Sequence, residues 1–279
     1  RRGDALHKLH QLNAAIASYD KAILAAPGHF EAYFNRANVL KELGKIDEAI
    51  RAYDDAIYIQ PDFHQAHYNR ANTLKAQGDL QAALDGYSQA IAIKSDFTEA
   101  HFNRGVVLQD MQSLEQALQS YERALQLDPD NSDVHNNIGT VLLAQKKHDA
   151  ALAKFLKAIE LKASNVEAHS NLGSVFKELG QYEEAFASYE KASALSQDYS
   201  SLMLMHTRTW LCDWDHFEVK VSQLAKDVEI HARSAQPFHY HALVDDPVLH
   251  RRAAEIWTTD QYPLNASLGE IIKHERGEK

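Results

Sequence analysis

The chain holds a single cysteine, Cys212, among 279 residues, so no internal disulfide can form and no cysteine framework for zinc exists. Proline (6) and glycine (11) are both scarce, which excludes a collagen-like or proline-rich fibre. No uninterrupted apolar run of about 18 residues occurs, so no stretch reads as a membrane span. The opening RRGDALHKLH lacks the apolar stretch and cleavage site of a secretory signal, and Arg1 in place of Met points to a trimmed, longer chain. Positive charge is also lacking. With 39 acidic against 29 basic residues the net charge is −10, and both residues 1–196 (20 basic, 26 acidic) and residues 197–279 (9 and 13) are acidic. A nucleic-acid backbone is therefore not an expected partner. One lone thiol fits a reducing, cytoplasmic setting.

What is present is self-similarity. Five complete units of 34 residues begin at Phe30, His64, Thr98, Ser132 and Val166. Each holds two patterns of helical period, such as Ala32, Ala37, Leu40 and Leu43 followed by Ala49, Tyr53, Ala56 and Ile57. A small residue recurs in the first helix (Ala37, Ala71, Gly105, Gly139, Gly173) and another in the second (Ala49, Ala83, Ala117, Ala151, Ala185). A large ring follows the latter at Tyr53, Tyr87, Tyr121, Phe155 and Tyr189. Small side chains let helix backbones approach, and the ring fills the space between layers. Gly44, Gly78 and Gly180 follow the first helix, with Gln112 and Lys146 in the same place elsewhere; Pro27, Pro61 and Pro129 follow the second.

This pattern resembles the tetratricopeptide repeat family over roughly residues 3–206. The resemblance implies an all-α, right-handed superhelix (an α-solenoid) whose first helices line a concave face, with its core buried between neighbouring repeats. The expected division is a partial repeat and junction at 1–29, five repeats at 30–199, capping helices at 200–231 and a helical linker at 232–279. Trp210, Trp214 and Phe217 would cover the apolar end of the stack.

On the inner wall the notable residues are Asn35, Asn69, Asn103, Asn137 and Asn171, one per repeat. Asparagine is a poor helix-interior residue, so five identical choices need a reason. Two are open: each amide orders the stack by bonding the neighbouring repeat, or the row holds the main chain of an extended polypeptide. Asn38 and Asn72, with the rings of Phe34, Tyr68 and Phe102, flank the row and are expected to share in peptide binding. The series His67, His101, His135 and His169 is read as packing rather than as a metal site, because packed helices lie roughly 10 Å apart whereas zinc ligands sit about 2 Å from one ion. No cofactor or metal is expected on these residues.

The unbroken asparagine row, the histidine before it in phrases such as AHSNLGSV, the CDWD passage at 212–215 and PFHYHALVDDP at 237–247 resemble the protein O-GlcNAc transferase family, bacterial branch. That resemblance implies a glycosyltransferase domain beyond Lys279 that takes UDP-GlcNAc as donor and transfers the sugar to Ser or Thr of acceptor polypeptides recruited by the repeats. It also implies a functional histidine at His241, with His239 in reserve. These 279 residues are expected to be inactive alone. The alternative is a free-standing protein–protein adaptor, and pairing of chains into a homo-oligomer is left open.

Overall fold

A computed structural model describes residues 2–196 together with Leu204, Thr207, Arg208 and Leu211. Apart from those four residues, the expected capping helices lie outside the described residues, as do the linker, Cys212, His239 and His241. The chain divides into two compact units, residues 1–162 and residues 163–279.

Ten helices make up the described part of the first unit: α1 (Arg2–Lys8), α2 (Leu12–Ala25), α3 (Phe30–Glu42), α4 (Ile46–Ile59), α5 (His64–Gln77), α6 (Leu80–Ile93), α7 (Thr98–Asp110), α8 (Leu114–Leu127), α9 (Ser132–Ala144) and α10 (His148–Leu161). The second unit contributes α11 (Val166–Glu178) and α12 (Tyr182–Leu195). Each pair is joined by a short turn and packs as an antiparallel hairpin. The class is the expected one, all-α and of the tetratricopeptide type.

The punctuation follows from backbone sterics. First helices end in a left-handed residue, Gly44 at φ 74° and Gly78 at φ 90°. Gln112 and Lys146 hold the same conformation without being glycine, at φ 60° and 59°, which costs each of them roughly 1 kcal/mol. Proline is not what ends the second helices. α6 and α10 stop at the same place as α4, although Ser95 and Ala163 replace Pro61.

The core lies between repeats as well as within them. Fully buried Tyr87 packs with Ala71, Leu74 and Ala83 of its own repeat and with Val107 of the next. Tyr121 shares a cluster with Ala117 and Ala124 and with Val134, Ile138 and Val141 of the following repeat. The small residues of the first helix are sized by these rings. A Cβ on Gly105 would lie 2.5 Å from the Tyr121 ring, and one on Gly139 would lie 2.6 Å from the Phe155 ring.

Gly139→Ala is therefore expected to destabilise the protein by about 1–3 kcal/mol, since Phe155 is buried and cannot step aside. Gly28→Ala, where nothing lies within 4 Å, should be near neutral. Urea unfolding midpoints of the two variants test this; equal midpoints would contradict the steric argument.

Candidate functional site

The first helices of successive repeats touch one another, α3 with α5 and α7 with α9. In residues 1–162 they form one wall, and it carries the asparagine row. Asn35, Asn69, Asn103 and Asn137 are all half-buried.

Their amides are tied into a device that recurs three times. Asp4 Oδ1 accepts from Tyr19 Oη (2.8 Å) and from Asn35 Nδ2 (3.3 Å). One repeat on, Asn38 Oδ1 accepts from Tyr53 Oη (2.6 Å) and Asn69 Nδ2 (3.0 Å). In the next, Asn72 Oδ1 accepts from Tyr87 Oη (2.6 Å) and Asn103 Nδ2 (3.4 Å), and Asn103 Nδ2 also donates to Tyr68 Oη at 2.7 Å. One acceptor thus joins the second helix of its own repeat to the first helix of the following repeat. A carboxylate can only accept, so the first instance shows the direction of the other two. Burial pushes the Tyr53 and Tyr87 phenols well above their ordinary range, which keeps them as donors.

The device breaks where Val106 stands in the acceptor place. Tyr121 Oη donates instead to Gln109 Oε1 (2.9 Å), and Asn137 Nδ2 reaches Tyr121 Oη only at 3.5 Å. Asn137 Oδ1 in turn accepts from Asn136 Nδ2 at 3.3 Å. In the second unit Asn171 is half-buried and bonded, while Ser174 and Tyr189 hydroxyls meet at 3.1 Å.

The flanking rings are half-buried and packed. Phe34 meets Phe63 edge-on at 4.9 Å and Tyr53 at 5.9 Å. Tyr68 meets Phe97 at 4.8 Å and Tyr87 at 5.8 Å, and Phe102 lies 6.0 Å from Tyr121. Where asparagine replaces Phe63 and Phe97, at 131 and 165, its side chain caps a helix instead, accepting from Val134 N (3.2 Å) and Ala168 N (3.0 Å).

The histidine series has one role throughout: Nε2 bonds the carbonyl six residues earlier, at Pro61, Ser95, Pro129 and Ala163, over 2.9–3.1 Å. Each clips a first helix to the loop before it. A ring nitrogen facing a carbonyl must carry the proton, which leaves Nδ1 bare, and Nδ1 of His101, His135 and His169 is buried without a partner. Among the described residues no group of histidine, cysteine and acidic side chains is arranged to hold a metal, and no helix there is long and apolar enough to cross a membrane.

Comparison with known proteins places the chain in a family. The TPR repeat family matches residues 37–78, 71–112, 110–146 and 139–180, and two further tetratricopeptide repeat profiles match 18–51 and both 1–29 and 166–199. The chain belongs to the tetratricopeptide repeat family. No curated protein matches it. Among solved structures it is similar to YrrB, a TPR protein described as having an unusual peptide-binding site (22% identity, 68% of this chain and 97% of that one, TM-score 0.58). It is also similar to PilF of Pseudomonas aeruginosa (21%, 81% and 97%, TM-score 0.64) and to a tetratricopeptide repeat protein of Parabacteroides merdae (15%, 91% and 95%, TM-score 0.70). At these identities the likeness concerns the fold.

Burial lowers the proton affinity of His101 and His135 below the ordinary 6.5. Above pH 6.5 both folded and unfolded chains hold these rings neutral; below it the unfolded chain binds the protons first, so stability falls with pH. The double variant His101→Gln, His135→Gln should lose less stability between pH 7 and pH 5 than the parent, read from thermal midpoints at each pH. An unchanged slope would mean that the two rings do not contribute.

Proposed function

We propose that the wall of first helices is a protein-interaction surface that holds an extended polypeptide by its main chain. One observation carries the reading. Asn35, Asn69 and Asn103 each donate a side-chain N–H inside the stack, and among the described residues the amide oxygen of each accepts no hydrogen bond. Oxygens repeated at the spacing of packed helices, about 10 Å, match every third N–H of a chain in the polyproline II conformation, which rises about 3.1 Å per residue and turns once every three residues. Main-chain contacts leave side-chain sequence largely unread, as suits an adaptor. YrrB, alike in fold, is described as having a peptide-binding site, and this favours the same use here. On this reading residues 30–199 are the binding part, and residues 200–231 and 232–279 cap and extend it.

The amides also hold the stack, so the test needs a control. Asn35→Ala, Asn69→Ala and Asn103→Ala combined should weaken binding of unstructured peptides selected on the wild-type chain by about tenfold or more. Tyr53→Phe with Tyr87→Phe, which loosens the same network and leaves the row intact, should cost stability but keep affinity within about twofold. Equal affinity for the triple variant and the parent by titration would remove the row from the binding surface.

A second reading rests on CDWD at 212–215 and PFHYHALVDDP at 237–247. It makes the chain the acceptor-recruiting part of a UDP-GlcNAc-dependent protein glycosyltransferase, with His241, or else His239, moving a proton at the reacting centre. In a protein carrying that catalytic domain, His241→Ala should lower the sugar-transfer rate with little loss of acceptor binding. Wild-type turnover would strike the residue from the catalytic set.

A further inference from the structure

At the first two junctions between a second helix and the first helix of the next repeat the stack repeats an ion pair. Arg36 Nε donates to Asp20 Oδ1 (2.7 Å) and Arg70 Nε to Asp54 Oδ1 (2.6 Å), each arginine reaching back 16 residues. The series then fails in two complementary ways. At the third junction the arginine remains but the acid is Ser88, whose hydroxyl donates to the Leu84 carbonyl; Arg104 Nε turns to Ser120 Oγ at 3.1 Å. At the fourth junction the acid remains as Glu122, and Ile138 occupies the arginine's place.

A cleft of about 430 Å³ lies there, walled by Leu118 and Leu125 of α8 and Ile138 and Leu142 of α9, with Glu122 and Lys154 supplying its charges. Its volume falls within the range of ligand pockets, about 300–1,000 Å³. Glu122 is exposed and forms no ion pair among the described residues. Lys154 follows Ile138 by 16 residues, the offset at which Arg104 meets Ser120, yet it makes no ion pair either.

We propose that this cleft receives an arginine side chain of a partner protein, in the place where two earlier junctions hold an arginine of the chain itself. The chemistry is matched at both ends. An arginine stem is apolar and covers leucine and isoleucine, while the guanidinium fits a carboxylate with two parallel hydrogen bonds. The pairs Arg36–Asp20 and Arg70–Asp54 show a guanidinium–carboxylate bond, Nε to Oδ1, already made at the equivalent places within the chain. A carboxylate ligand on Lys154 would face the charge of Glu122 and has no counterpart at the earlier junctions, where Ala52 and Gly86 stand in the lysine's place. Buried arginines anchored in this way are frequent centres of protein interfaces.

The test is a methyl-labelled NMR titration of the chain with acetyl-Gly-Arg-Gly-amide and with its citrulline counterpart, at millimolar concentrations. The arginine peptide should shift the methyls of Ile138, Leu142, Leu118 and Leu125, and the neutral citrulline peptide should bind about tenfold more weakly. Glu122→Gln should weaken the arginine peptide to the citrulline level, and Lys154→Met should tighten it. Ile138→Arg should rebuild the internal pair with Glu122 and abolish the response, at a cost in thermal midpoint because Ile138 belongs to the core around Tyr121. Equal binding of the two peptides, binding that survives in Glu122→Gln, or no shift of these methyls would each overturn the proposal.

Discussion

Everything in this chain depends on how closely the two helices of a repeat approach. At Gly105, Gly139 and Gly173 there is no room for a single added carbon beside the ring of the second helix. That proximity seals Tyr121, Phe155 and Tyr189 from solvent, and Ala37 and Ala71 pack in the same clusters as Tyr53 and Tyr87, which are equally buried. A buried phenol must then find a hydrogen-bond partner or lose the cost of its desolvation, about 1–3 kcal/mol. The steric requirement thus generates a polar one: each tyrosine hydroxyl needs an acceptor on a neighbouring first helix. Asp4, Asn38 and Asn72 provide it.

The acceptor in turn decides what the asparagine row can do. An amide has two hydrogens and one carbonyl oxygen; Asn103 donates twice and Asn35 and Asn69 once each to the preceding repeat, while among the described residues their oxygens accept no hydrogen bond. The structural and the binding roles of Asn35, Asn69 and Asn103 are therefore not rivals. On the proposed reading, holding the stack orients the amide so that its oxygen meets a donor of the bound chain. Asn137 departs from this because Val106 cannot accept, so its oxygen meets Asn136 and its nitrogen is only loosely held.

Much of this was legible in the sequence because it recurs at one fixed interval. The small residue, the ring and the turn all repeat every 34 residues, and any residue that does so at a buried place shows itself. The partners of the asparagines were less visible, since each bond spans 31 residues and joins different residue types, as Asn69 to Asn38 and Asn35 to Asp4. The signal exists nonetheless: a tyrosine 15 residues after the acceptor accompanies each intact instance. The histidine clips could not be read at all, because their acceptors are main-chain carbonyls, and Pro61, Ser95, Pro129 and Ala163 look nothing alike. The arginine–aspartate pairs were hidden by their own brevity, two instances being too few to stand out as a series.

The departures carry a different kind of information from the repeats. A wall of identical units offers the same contacts at every step, so it can hold a chain but cannot say where that chain should start. Position is set only where the pattern changes. Here the changes fall between α6 and α9: the acid lost at Ser88, the acceptor lost at Val106, the arginine lost at Ile138, and the aromatic Phe63 and Phe97 giving way to the helix cap Asn131. None of these is required by the fold, since the neighbouring repeats are built without them. A partner that met the uniform wall along its main chain and the altered junction through one charged side chain would be fixed in register by the second contact alone. On the proposed reading, generic affinity comes from the uniform wall and specific placement from the altered junction, and neither needs a departure from the helix geometry of the stack.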